Sequence, residues 1–421
     1  MKRSFFWLWG SQTLSNMADV LYIVAFITLV LDQTGSIIFA TLVPLIRVSS
    51  QLISSLLAPL VIARFRLTPI LSISQGGQFL LFSLLALYVS PWVGGTAPGI
   101  LYGVILVISF LDGWTTPARN ALIPRLVRDD TLLKANSMIA VTDQIIQFAG
   151  WALSGVVVAK FGSFPVLVAV AGAYGIAMLA TTRIVDPIGG QLRNTTSMAA
   201  NGDRGSRRAI SHWETLKEGW ITLWRLPRLR ALTWMEMMEL LGGSIWSGAF
   251  LLVFVRDILH RDESWWGYIN AGYFAGAVLG GLWIVALVNK LENRLYPALL
   301  IGMLGYAVLT FAFALNTSAV LTLGIVLLTG PFSELVGVAR QTFTQRSAGP
   351  DQLPKVLSAQ SALQNFLFGI SLLLMSFIAE GFGIIYVYLL AGGWSVLSVF
   401  IGVRYRQVFH PPAQNESGWY N

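Results

Sequence analysis

The chain has 421 residues, 55% of them hydrophobic and only 11% charged, with a formal net charge of +8. A soluble domain carries roughly 25% charged residues, so this composition reads as a polytopic, all-α membrane protein. The absence of cysteine excludes disulfides, thiolate metal sites and cysteine nucleophiles. No P-loop sequence occurs, which argues against nucleotide hydrolysis by this chain.

Twelve apolar spans follow in order, at 5–31, 36–62, 68–89, 99–116, 135–159, 164–182, 231–255, 265–288, 297–315, 319–339, 356–379 and 384–403. The start resembles a signal peptide, but its apolar run reaches spanning length without a small-residue cleavage site, so an uncleaved first span is expected. His212, His260 and His410 fall between or beyond the spans, which argues against a histidine metal centre. Of the 28 Lys and Arg, all but Arg47, Lys160, Arg256 and Arg261 fall on one side if both termini are cytoplasmic. That bias predicts the orientation and explains the net charge without nucleic acid.

The expected domains are 1–182 and 231–403, each of six spans, joined by a cytoplasmic linker at 183–230 and followed by a tail at 404–421. The stretch 191–206 is polar and reads as flexible. At 211–225, Ser211 and Glu214 fit a capping box, and Trp213, Leu216, Trp220, Leu223 and Trp224 share a helical face. Two readings remain open, an amphipathic helix on the inner membrane surface or a helix packed on the bundle. The sequon at Asn194 lies on the cytoplasmic side and carries no weight.

Seven ionisable residues lie inside spans: Asp19, Arg47, Asp112, Asp143, Glu236, Glu239 and Glu334. Each costs about 2.5–3.5 kcal/mol to insert, so each should face water or a partner. Spans 3, 6, 9 and 12 carry none and are expected to face lipid, with the others around a polar cavity. Polar stripes agree: Gln12, Asn16, Asp19 and Tyr22; Arg47, Gln51 and Ser54; Asp143, Gln147, Gly150 and Ser154; Gln360, Gln364 and Ser371. Arg47 is expected to pair with Asp19 or another acid. Six carboxylates against one arginine predict that some hold protons, which is what proton coupling requires. Trp114, Trp151 and Trp246 lie inside spans, where they either pack or stack on substrate.

A shift of 221 positions superimposes 118–162 on 339–383, matching Arg119 with Arg340, Arg125 with Arg346 and Phe161-Gly162 with Phe382-Gly383. One register held over that length predicts two homologous halves. The paired arginines, with Arg64, are candidate inner gate or latch residues. Gly272, Gly276 and Gly280 form a small-residue ladder expected to pack against Gly150 and Gly155.

The segment Pro117-Ala118-Arg119-Asn120-Ala121-Leu122-Ile123-Pro124, followed by Leu132 and Ala135-Asn136-Ser137, resembles the junction of helices 4 and 5 in the macrolide-efflux and enterobactin-exporter branch of the major facilitator superfamily. The Thr34-Gly35-Ser36 turn is similar too. The resemblance covers essentially the whole chain. Two places depart from it: Pro59 and Ala63 replace the Gly and Asp of the loop 2–3 signature, leaving Arg64, and Trp151 stands where antiporters carry proline. In related multidrug members, acids on helices 5 and 10 handle protons and substrate, which implies such roles for Asp143 and Glu334.

The expectation is a secondary active exporter, a drug:proton antiporter of the cytoplasmic membrane. It would work by alternating access on a small amphipathic or lipophilic molecule that is drug-, macrolide- or siderophore-like. It would be a monomer in the lipid bilayer, use no cofactor and draw on the proton gradient. Alternatives of the same fold are an importer or a lysophospholipid flippase; from another class, a non-transporting receptor or scaffold. No His, Cys or metal constellation supports an enzyme.

Overall fold

The computed structural model describes residues 3–34, 37–95, 97–187, 212–246, 248–262 and 264–409. The structure is helical throughout these residues. In chain order the helices are α1 (Arg3–Thr34), α2 (Ile37–Arg64), α3 (Leu67–Val89), α4 (Pro98–Asp112), α5 (Thr115–Leu126), α6 (Leu132–Phe161) and α7 (Ser163–Thr181). They continue with α8 (His212–Arg225), α9 (Pro227–Gly242), α10 (Gly248–Asp257), α11 (Ser264–Ala286), α12 (Val288–Glu292) and α13 (Leu295–Leu315). The last are α14 (Ala319–Ser347), α15 (Leu353–Phe382), α16 (Ile384–Arg404) and α17 (Arg406–Phe409). By length and composition, ten helices among the described residues can cross a membrane, and the pair α9–α10, bent by 55°, makes eleven. The fifth expected span falls on α6, whose 30 residues include Lys134, Asp143 and Lys160.

Two helix boundaries differ from the expected turns, and both matter for the site. The fourth span ends at Asp112, and the chain resumes as helix at Thr115, so Arg119 sits on α5 rather than in a loop. Pro117 is tolerated because it lies in the first turn of α5, where its missing N–H has no intrahelical acceptor. In the second half α14 runs unbroken to Ser347, which puts Arg340 inside a helix. Gly35 and Ser36 of the Thr34-Gly35-Ser36 turn, the sequon, the capping Ser211 and His410 lie outside the described residues, as do the surroundings of Gly155 and the side chains of Arg64, Trp151, Trp213 and Leu216.

The chain divides into two compact units: residues 1–221 with 277–288 and 348–366, and residues 222–276 with 289–347 and 367–421. The first boundary falls inside the expected linker, at the C-terminal part of α8.

In the first unit, the rings of Tyr22 and Phe82 approach at 4.9 Å and those of Phe82 and Tyr174 stack at 5.3 Å. This aromatic column sits in a core of α1, α3, α4 and α7 residues. The uncharged spans are not uniformly apolar. Gln75 of α3 donates to Ser11 at 2.9 Å and Ser15 at 3.1 Å, and accepts from Thr181 of α7 at 2.6 Å. All four side chains are buried, so each hydrogen bond avoids the cost of an unpaired polar group in apolar surroundings.

Helix α8 meets the first turn of α15. Lys355 pairs with Glu218, and a Cβ on Gly219 would stand 2.3 Å from the Lys355 carbonyl oxygen. This end of the linker helix is therefore packed against protein.

In the second unit, Phe254 stacks on Phe313 at 4.4 Å and Tyr388 tilts against Phe313 at 4.8 Å. The Tyr388 hydroxyl donates to the Ile245 carbonyl at 3.1 Å, at the turn Gly243–Trp246 that breaks the seventh span.

The glycine ladder packs elsewhere than expected. Within the second unit, a Cβ on Gly276 would lie 2.0 Å from the Leu327 carbonyl oxygen, and Gly272 faces Val326. These glycines let α11 lie on α14, because a four-residue spacing keeps them on that one face. In the first unit, Gly150 of α6 admits Val20 of α1, and the glycine that approaches α6 is Gly281, against Val141. Gly280 is buried.

The repeat has a backbone counterpart. Gly162 has φ of 79° and Gly383 has φ of 100°, each at the turn into the following helix. Residues with a Cβ avoid that region, so the matched Phe-Gly pairs carry the same conformational demand.

Candidate functional site

The first unit encloses a polar cavity of about 260 Å³ lined by Asn16, Asp19, Arg47, Gln51, Asp112, Thr116, Arg119, Asp143 and Gln147, with Val20, Ile23 and Ile146. Helices α1, α2, α4, α5 and α6 each contribute.

Its shape depends on the break between α4 and α5. The main chain around Gly113 is held by hydroxyls: Ser54 donates to the Phe110 carbonyl, Ser55 to the Gly113 carbonyl at 3.3 Å and Ser74 to the Leu111 carbonyl at 2.7 Å. A Cβ on Gly113 would stand 2.5 Å from the Ser54 Cβ, so only glycine lets α2 come this close. The break ends α4 at Asp112 and starts α5 early enough for Arg119 to reach the cavity.

Two ion pairs organise the lining. Arg47 Nη2 lies 3.5 Å from Asp112 Oδ2, which also accepts from Gln51 Nε2 at 2.7 Å. Arg119 Nη1 lies 3.4 Å from Asp143 Oδ2, while Asn16 Nδ2 donates to Asp143 Oδ1 at 2.7 Å. The Arg47 guanidinium also stands over the Tyr22 ring, 5.6 Å from its centroid, where the ring quadrupole attracts it. Asp19 accepts the Tyr174 hydroxyl at 2.6 Å.

The expected count of one arginine against six carboxylates does not describe the molecule, because Arg119 and Arg340 join Arg47 among the acids. Arg47 pairs with Asp112, not with Asp19. Tyr174 had no sequence signal beyond a single hydroxyl in an apolar span. Gln12 is buried off the cavity lining, Tyr22 belongs to the aromatic core, and Trp114 meets Phe110 edge-on at 5.3 Å.

The second unit holds its own charge cluster. Arg340 of α14 pairs with Glu239 and stands 3.8 Å from Glu236, and Ser398 donates to Glu239 at 3.3 Å. Glu334 is buried on α14; in the first unit, Gln360 of α15 is buried and Gln364 is exposed. Trp246 donates its indole N–H to the Tyr306 hydroxyl at 2.6 Å and stacks on Tyr273. Of the other candidate latch residues, Arg346 pairs with Glu292. Arg125 is buried in the first unit, 3.0 Å from Asp186, and donates to the Pro350 carbonyl at 2.7 Å.

Known proteins give this arrangement a context. The chain is 30% identical over 404 residues to the uncharacterized MFS-type transporter YfmI of Bacillus subtilis, covering 96% of both chains. Its fold matches a bacterial homologue of the iron transporter ferroportin in an outward-facing state, with a TM-score of 0.72, 15% identity, and coverage of 96% of this chain and 100% of that one. It also matches the fucose:proton symporter of E. coli, with a TM-score of 0.69, 13% identity, and coverage of 95% and 98%. The profile of the Major Facilitator Superfamily matches residues 8–371. Helices of membrane-spanning length, charges kept inside them and that match lead to one assignment: the chain belongs to the Major Facilitator Superfamily and is a membrane transporter of the alternating-access type.

Proposed function

We propose that the protein is a secondary active exporter that exchanges protons for a small amphipathic organic molecule. The observation that carries the reading is the cavity of the first unit, where Asp19, Asp112 and Asp143 line one space with Arg47 and Arg119. Carboxyl groups that share a cavity with movable cationic partners can exchange a proton for a substrate group. That exchange is the chemical requirement of antiport, and it needs no cofactor besides the gradient. Asp143 and Glu334 are the acids assigned to coupling. The protein would reside as a monomer in the cytoplasmic membrane with both termini inside, as its Lys and Arg distribution favours.

The test is transport in proteoliposomes under an imposed pH gradient, with norfloxacin as the probe and an enclosed pH dye. Wild-type protein should couple probe movement to proton movement, and Asp143→Asn and Glu334→Gln should each abolish the coupling. If both variants retain gradient-driven transport, the mechanism is wrong.

A further inference from the structure

The cavity is a poor host for a lipophilic cation alone. Nine of its twelve lining residues are polar or charged, and two of them are arginines. An apolar body there would strip water from those groups without offering their remaining donors and acceptors a partner. The volume of about 260 Å³ lies below the usual drug-site range of roughly 300–1,000 Å³. Being partly open, it admits the charged head group of an amphipathic solute.

The three carboxylates are not equivalent. Asp112 and Asp143 each have an arginine and an amide donor. Asp19 makes no salt bridge among the described residues. Its near neighbours are the Tyr174 hydroxyl on α7 and Tyr22 on its own helix. Arg47 and Asp112, on α2 and α4, also act on it electrostatically. Asp19 is thus the one of the three lining carboxyls without a direct arginine contact among the described residues.

Both arginines also have capacity left. A guanidinium presents five N–H donors in a planar fork suited to an oxyanion. Arg47 spends one on a long 3.5 Å contact to Asp112, and Arg119 uses its Nη1 on Asp143 at 3.4 Å and its Nε on Asn120 at 3.2 Å.

We propose that this cavity recognises a zwitterionic head group, with the substrate's cation at Asp19 and its oxyanion at Arg47 and Arg119. The inference rests on the transporter reading above and narrows its substrate class to amphipathic zwitterions. Asp19 is the direct binding residue. Tyr174, outside the cavity lining, is a positioning residue that holds the Asp19 carboxylate from the core side. A substrate with both charges engages Asp19 and the spare arginine donors together, whereas a singly charged analogue leaves one of the two unmatched.

Binding can be measured on the full-length protein in nanodiscs, independently of any gradient. The probes are matched triplets: phenylalanine, tryptophan and norfloxacin, each with its methyl ester and its N-acyl derivative, and tetraphenylphosphonium as a lipophilic cation. At least one zwitterion should bind about tenfold or more tighter than both of its singly charged derivatives. In Asp19→Asn that zwitterion should fall to the affinity of its N-acyl form, while the N-acyl form keeps its own affinity and so reports a folded protein. Tyr174→Phe should weaken the zwitterion and spare the N-acyl form. The proposal is overturned if no zwitterion exceeds both derivatives, or if tetraphenylphosphonium alone binds in an Asp19-dependent way. Loss of proton coupling in the liposome assay with zwitterion selectivity intact would instead remove the antiport reading and leave this site standing.

Discussion

Arg119 and Asp143 meet at 3.4 Å across α5 and α6, and the sequence assigns the two to different parts of the protein. The arginine reads as part of a basic inner turn and the aspartate as a buried acid. Their contact joins that turn to the cavity. Asp143 is about a third exposed (32%), so water weakens the pair. A double-mutant cycle on Arg119→Gln and Asp143→Asn should give a coupling of about 1 kcal/mol in thermal unfolding, within the range seen for contacting groups. Strict additivity of the two substitutions would mean that the contact contributes nothing.

Arg125 should matter more for stability. It and Asp186 are both 6% exposed, and removing one partner of a buried pair costs about 3–5 kcal/mol. Arg125→Ala should lower the melting temperature sharply. Arg125→Lys should recover only part of it, because a single ammonium cannot reproduce a fork that serves both Asp186 and the Pro350 carbonyl. A melting curve for Arg125→Ala that overlays the wild type would refute this.

Helix α11 gives a paired test of packing. Gly276→Ala places a Cβ against the Leu327 carbonyl oxygen, a main-chain atom that cannot rotate away. The expected loss is about 1–3 kcal/mol, the usual cost of overpacking. Gly324→Ala, on the neighbouring α14, meets nothing within 4 Å and should be neutral or slightly stabilising. Equal melting temperatures for the two variants would contradict the close approach.

Asp262 lies outside the membrane-spanning helices, before α11. The Ser264 hydroxyl, and after it the Ser264 N–H at 3.0 Å, hold its carboxyl below the ordinary carboxylate range. A lowered value means that the cap's contribution is fully present above the ordinary range and is lost as pH falls through the lowered one. Ser264→Ala should move the Asp262 titration upward, as read by NMR of labelled protein in nanodiscs. An unchanged titration would show that the hydroxyl is not the cause.

The helical fold was legible because it is written in apolar lengths. The offset that pairs Phe161-Gly162 with Phe382-Gly383 is met by two glycines of positive φ. Asn16, Asp19, Arg47, Gln51, Asp112, Asp143 and Gln147 were legible as cavity candidates because charge and helical spacing both mark them, and all seven line the cavity. Arg119 was misplaced for a definite reason. A charge count cannot tell an inner loop from the second turn of a helix that begins after a break. Nothing local announced that Gly113 would make that break, since it depends on Ser54 of another helix pressing on it. Tyr174 stayed hidden because one hydroxyl in an apolar run has no periodicity. The destination of the glycine ladder was equally out of reach: a four-residue spacing says that a face is flat, not which helix it will meet.

The grip of Arg125 on Pro350 goes to a carbonyl oxygen of the main chain. Every residue type offers that same oxygen. The turn before α15 can therefore change its side chains freely while keeping its anchor, and the burden of preserving the contact rests on a single guanidinium. In mutational terms the two ends of this contact are unequal: one is tolerant of nearly any replacement that keeps the backbone path, and the other of almost none.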